Sequence, residues 1–120
     1  MTTLESTLMS QATDLTTPHQ HGRTLRRAVH DDGICVVTLD RPGSAANVFD
    51  LPTLTDVSEE LDFIENNKSL KGLILTSAKK SIFVAGADLK SMSEASHDQV
   101  REMIELGQTV MNRIAALPIP

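Results

Sequence analysis

At 120 residues the chain has room for one domain and not for two. Eleven basic against sixteen acidic residues, no Trp, no Tyr and only three Phe exclude the basic stripe and the aromatic stacking platforms of a nucleic-acid binder. A lone cysteine excludes an internal disulfide and a cysteine-based metal cluster, no apolar run has the length of a membrane helix, and Met1-Thr2-Thr3-Leu4-Glu5 is not the start of a secretory signal, so a cytoplasmic protein with no metal site is expected.

Residues 1–24 are rich in Thr, Ser and Gln and show no apolar period, which predicts a flexible tail ahead of a domain over 25–120. His19-Gln20-His21 lies in that tail without a third ligand and reads as solvated. Leu25 to His30 predicts a short strand, and Asp31-Asp32-Gly33 supplies the chemistry of a tight reversal. Ile34-Cys35-Val36-Val37-Thr38-Leu39 is apolar on both faces and predicts a buried strand, with Cys35 a small hydrophobe rather than a nucleophile. The run from Arg41 to Asn47 breaks the pattern and reads as a loop.

A helix follows, with Asp50 as N-cap and Pro52 in the first turn, where a missing N–H costs little. Leu51, Leu54, Val57, Leu61 and Ile64 recur at steps of three and four and mark its buried stripe, whereas Glu59, Glu60, Asp62 and Glu65 are expected on the solvated face. Asn66-Asn67 ends it. Gly72 to Thr76 predicts a second buried strand and Ile82-Phe83-Val84 a third, with Lys79-Lys80 as an exposed turn between them. Strand, helix, strand in that order predicts a parallel crossover. The last helix opens on the capping box of Ser96 and Gln99, buries Val100, Met103, Ile104, Gly107, Val110, Met111 and Ile114, and ends before Pro118 and Pro120. The fold class is α/β.

The segment best suited to chemistry is Val84-Ala85-Gly86-Ala87-Asp88-Leu89-Lys90. Three small residues after a buried strand let a ligand approach the backbone, and free N–H groups at a strand-to-helix turn favour a developing negative charge. One such donor aimed at an oxyanion is worth about 2.7–4 kcal/mol. Asp88 reads as a cap for the turn ahead of a general base, and Lys90 as either exposed or facing a phosphate.

Phe83-Val84-Ala85-Gly86-Ala87-Asp88-Leu89-Lys90 resembles the phenylalanine–x–alanine–glycine–alanine–aspartate element of the enoyl-CoA hydratase/isomerase (crotonase) family. Lys71 to Lys79 resembles the strand before that element, and Asp40-Arg41-Pro42 followed by Asn47 resembles the family's first coenzyme A loop. Four residues separate Pro42 from Asn47, a spacing similar to the α subunits of bacterial fatty acid oxidation complexes, where a dehydrogenase domain follows the hydratase domain.

The resemblance implies the amino-terminal portion of a crotonase (ClpP-like) fold built from ββα-type units. It implies that the peptide N–H of Ala87 is one of two oxyanion-hole donors to a thioester carbonyl. Ser44, Ala45, Ala46, Ala85, Gly86, Leu89 and Lys90 would then line the coenzyme A groove, and Asp88 would be structural. The substrate would be a coenzyme A thioester with no prosthetic group, and NAD would enter only with a dehydrogenase domain. Partners would be the acyl-CoA, further copies of the chain or a thiolase subunit. In the family the second donor, a glycine, and the two acid–base glutamates lie after the last helix. None of Glu59, Glu60, Glu94, Glu102 or Glu105 matches them, so the expectation is a truncated domain, inactive alone, whose parent hydrates 2-enoyl-CoA in fatty acid β-oxidation. Other chemistries of the family, isomerisation or hydrolysis, and a non-catalytic acyl-CoA-binding or assembly module are the alternatives.

Overall fold

Residues 23–120 are described by a computed structural model. Strand β1 (Leu25–Val29) and strand β2 (Ile34–Leu39) pair antiparallel, with Leu25 opposite Leu39 and Val29 opposite Cys35. The reversal between them works because Gly33 takes φ 87°, a region costly for other residues, and because Asp32 Oδ1 accepts the Ile34 N–H. Helix α1 (Leu51–Glu65) carries the chain back, and strand β3 (Gly72–Ser77) then pairs parallel to β2, with Ile34 opposite Gly72 and Leu39 opposite Ser77. The sheet order is β1-β2-β3, so β2, α1 and β3 form the expected parallel crossover. Helices α2 (Leu89–Glu94) and α3 (His97–Ala115) follow.

The core lies between one face of the sheet and the two long helices. Cys35, Val37 and Leu39 of β2 meet Leu54, Val57, Leu61 and Ile64 of α1, closed by Leu25, Leu70 and Val110. Each such burial contributes roughly 1.5–3 kcal/mol. Alternation along β2 leaves Ile34, Val36 and Thr38 only half-buried, so the strand is covered on one face and not on both. Ile74 of β3 stands 51% exposed.

Asp50 caps α1 as its sequence requires, its Oδ1 accepting the Thr53 N–H at 3.0 Å. Two details of that helix differ from expectation. Leu51, at the start of the first turn, is 37% exposed. Glu60 is buried rather than solvated: its carboxylate takes Arg23 Nη2 at 3.2 Å and Arg27 Nη1 at 3.0 Å, and Arg27 also lies over the Phe63 ring. A buried carboxylate persists only when so paired. The pairing also draws the segment before β1 onto α1, where Thr24 donates its N–H and hydroxyl to Asp56 Oδ2. Arg23 and Thr24 thus pack with the domain, although composition alone groups them with the tail; residues 1–22 lie outside the described part.

No strand forms at Ile82-Phe83-Val84. The carbonyls of Ile82 and Phe83 are taken by side chains, Ser77 Oγ and Asn47 Nδ2, both at 2.9 Å, so a ladder is unnecessary to satisfy them. The capping box of α3 is present in both directions. Its apolar stripe is only partly covered: Val110 is fully buried, but Ile104 is 45% and Met111 43% exposed. Arg113 fastens α3 to α1 through Asp62 at 2.7 Å, Glu65 at 2.9 Å and Ser58 Oγ at 3.0 Å. Pro120 O accepts the Leu73 N–H at 2.8 Å, which sets the end of the chain beside β3.

Candidate functional site

Because β2 and β3 run parallel with Leu39 opposite Ser77, the loops that leave them emerge at the same sheet edge. One loop holds Arg41 to Phe49 and the other Ala78 to Asp88. Asn47 lies between them, 1% exposed. Its Nδ2 donates to Ser77 Oγ and Phe83 O at 2.9 Å and to Leu39 O at 3.3 Å, while its Oδ1 accepts the Arg41 N–H at 3.0 Å. Its carbonyl accepts the Ala85 N–H at 2.8 Å.

Phe49 continues the junction as a parallel bridge to Ala87. The Phe49 N–H donates to Gly86 O at 2.7 Å, and Phe49 O accepts the Asp88 N–H at 3.3 Å. In a parallel bridge the residues flanking the paired position make the bonds, which turns the groups of the paired position away. Ala87 is that position, and among the described residues its N–H has no partner. Gly86, at φ 107°, sets the turn; a side chain there would be strained although nothing lies within 4 Å of where its Cβ would stand. Ala85, Gly86 and Ala87 are exposed.

Ala87 lies on the wall of an open, mostly apolar cleft of about 630 Å³ whose lining includes Phe49, Leu54, Met92 and the α3 residues Met103, Ile104 and Met111. Gly107, Gln108 and Asn112 also face it, and among the described residues no Asp, Glu, His, Lys or Arg contributes to the lining. A second cleft of about 460 Å³ lies at the start of α1 and is lined by Arg41, Asp50, Met92 and Glu94 among others. Arg41 Nη2 is 2.8 Å from Asp50 Oδ2 and 3.9 Å from Asp88 Oδ2, so this cation joins the first loop, the α1 cap and the small-residue turn.

Lys79, expected at an exposed turn, folds back instead, its side chain 9% exposed. Its Nζ donates to Arg41 O at 2.6 Å, Ser44 O at 2.7 Å and Asp40 Oδ1 at 3.1 Å. Arg26 foremost, and Lys79 with it, hold the Asp40 carboxyl below its usual value. Ser44 is half-buried, its hydroxyl donating to Ala46 O at 2.8 Å; Ala45 is exposed and Ala46 half-buried. Asp88 opens α2 by accepting the Met92 N–H on its carbonyl. Lys90 is exposed, and Leu89 begins α2 with its side chain outside the described part. The loops carrying Ser44 to Ala46 and Ala85 to Asp88 are thus joined, but through Asn47, Lys79 and Arg41, none of which the motif reading singled out for that purpose.

Cys35 is 0% exposed, and burial pushes its thiol up to about 11, which removes it as a nucleophile. His19 and His21 lie outside the described residues, among which no group of three His, Cys, Asp or Glu is arranged to hold a metal ion.

The enoyl-CoA hydratase/isomerase family model covers residues 29–120, and the chain belongs to that family. Among curated proteins it is 36% identical over 100 residues to the fatty acid oxidation complex subunit alpha of Shewanella halifaxensis, and 37% identical over 101 residues to that of Shewanella oneidensis. Each match takes in 82% of this chain, which spans only 14% of the relative's length. The fold is that of an enoyl-CoA hydratase from Geobacillus kaustophilus, with a TM-score of 0.79 at 23% identity over 89% of this chain and 38% of that one. An enoyl-CoA hydratase from Bacillus anthracis gives 0.73 at 28% identity over 81% and 37%.

Proposed function

We propose that this chain supplies the thioester-polarising half of an enoyl-CoA hydratase site. The observation that carries the reading is the Ala87 N–H: unpartnered, turned away from Phe49 by the bridge on either side of it, and set at the wall of an apolar cleft. A thioester carbonyl placed there gains a fixed donor as its oxygen becomes enolate-like, a gain typically of about 2.7–4 kcal/mol per donor. Ser44, Ala45, Ala46, Ala85, Gly86, Leu89 and Lys90 form the coenzyme A groove, largely through backbone atoms, and the acyl chain runs along Met103, Ile104 and Met111.

Water addition across a 2,3 double bond also needs an acid–base pair. Among the described residues the cleft lining holds no carboxylate, so on this reading the two glutamates and the second N–H donor are supplied from beyond the described residues. The protein carrying this segment acts in fatty acid β-oxidation, in the cytoplasm and in an assembly of several subunits. The pathway and the assembly are supported by the names of the Shewanella relatives, fatty acid oxidation complex subunits.

The test is a titration with hexanoyl-CoA carrying carbon-13 at the thioester carbonyl. The wild-type chain should shift that resonance downfield, and Ala87→Pro, which deletes the N–H, should abolish the shift. An equal shift with Ala87→Pro, or substantial hydration of crotonyl-CoA by the 120-residue chain alone, would refute the reading.

A further inference from the structure

We propose that Asn47 is the positioning residue of the Ala87 donor, an assignment that rests on the reading of Ala87 given above. A single backbone N–H in a loop of small residues has no side chain to steer it. Its direction is set by whatever holds the peptide groups around it. In this loop every polar backbone group from Ile82 to Asp88 that makes a loop contact does so with Asn47, Phe49 or Ser77. Asn47 and Phe49 take two each and Ser77 one, and of the pair only Asn47 uses its side chain. It takes the Phe83 carbonyl with its side chain and the Ala85 N–H with its own carbonyl, so it pins both ends of the two-residue step that leads into Gly86.

The chemistry requires a carboxamide. Nδ2 faces three oxygens, of Leu39, Ser77 and Phe83, and Oδ1 faces the Arg41 N–H. That set of partners fixes which end of the amide is which. Aspartate would present an oxygen to the three acceptors, and leucine would satisfy none. The amide therefore couples three elements: the end of β2, the end of β3 and the turn. Being 1% exposed, it has no access to a substrate and acts only through the turn.

Asn47→Ala removes the side-chain bonds and leaves the backbone intact. In the ligand-free 120-residue chain, amide hydrogen exchange at Ala85 and Asp88 should then be at least about tenfold faster, while Val37 in β2 keeps its protection. In the titration with labelled hexanoyl-CoA, the carbonyl shift should fall by more than half, with the dissociation constant changed less than about threefold, since the groove contacts remain. Unchanged exchange at Ala85, or a full carbonyl shift in the variant, overturns the positioning role. Faster exchange in the variant, with no carbonyl shift in the wild-type chain, upholds the hold on the turn and refutes Ala87 as donor. Should Asn47→Ala lose protection at Val37 as well, Ser77→Ala decides. It deletes one Nδ2 partner and the Ile82 anchor, and should quicken exchange at Ala85 in the same direction; no change there also overturns the proposal.

Discussion

Replacing Lys79 with Met is the most direct measure of how firmly the two loops are joined. The substitution keeps an unbranched side chain of similar length and removes the ammonium. Three acceptors lose their donor: Arg41 O at 2.6 Å, Ser44 O at 2.7 Å and Asp40 Oδ1 at 3.1 Å. Asp40 retains Arg26 at 2.7 Å and is partly exposed, so its loss is small. The two carbonyls decide the magnitude. A hydrogen bond from a charged donor contributes roughly 1.5–3 kcal/mol, and Arg41 and Ser44 are half-buried, so water replaces part of it. The expected cost is about 2–3 kcal/mol, two bonds at the low end of that range less the part that water restores.

Urea unfolding followed by far-UV circular dichroism reads that loss as a lower midpoint at unchanged slope. The deficit should persist at high salt, because the donor is largely withdrawn from solvent. Lys79→Arg should recover only part, since a planar fork cannot converge on the same three oxygens as an ammonium. A loss under about 0.5 kcal/mol, the level of ordinary surface substitutions, would show that Lys79 does not secure the loop.

Glu60→Gln should cost about 2–3 kcal/mol, less than a fully buried pair because Arg23 and Arg27 are each about one-fifth exposed, whereas Glu59→Gln at a 59% exposed side chain should cost almost nothing in the same urea assay. Cys35 should resist a thiol-specific reagent near neutral pH and react only as the chain unfolds. Its thiol is raised from 9.0 to about 11 by burial, so its stabilising contribution is complete below about pH 9 and lost as pH climbs towards 11; rapid labelling of the folded chain would contradict its place in the core. Asp40 has the opposite sign. Its carboxyl is held down by Arg26 and Lys79, so its contribution is present above its ordinary value near 4 and lost as pH falls through the lowered one. Asp40→Asn should therefore flatten the fall in stability as pH drops below the ordinary carboxylate range, and an unchanged profile would refute the assignment.

Periodicity made most of the secondary structure readable, because the elements that matter are punctuated by side chains with one physical role. Asp50 and Ser96 cap helices, Asp31-Asp32-Gly33 can only reverse, and the β2–α1–β3 order leaves a parallel crossover as the natural outcome. What periodicity missed was every place where a polar group is satisfied at long range. Glu60 sits at the edge of an apolar stripe and looks solvated until Arg23 and Arg27 arrive from β1 and the segment before it. Ile82 to Val84 has the composition of a strand, yet the side chains of Asn47 and Ser77 compete successfully for its carbonyls. Lys79 was within reach of sequence reasoning: once β2 and β3 are parallel neighbours with Leu39 opposite Ser77, Asp40 and Lys79 stand one and two residues beyond that pair, with opposite charges.

The candidate site was harder to read for a different reason. Its central group is a peptide N–H, and every residue except proline carries one. Nothing in the identity of Ala87 marks it; the marks are the positive-φ glycine before it and the bridge to Phe49, which take up the neighbouring donors and acceptors and leave one over. Only the resemblance to known sequences pointed to that position in advance. If Ala87 is the donor, a scan replacing side chains would pass over it, since serine or glycine there keeps the N–H, while substitutions at the buried Asn47 would register as losses of the thioester carbonyl shift. On the proposed reading of Ala87, the chemistry of this half of the site is held in backbone direction, and backbone direction is held by a few buried polar side chains. Those side chains, not the small residues of the turn, are where variation in the sequence would change what the turn can do.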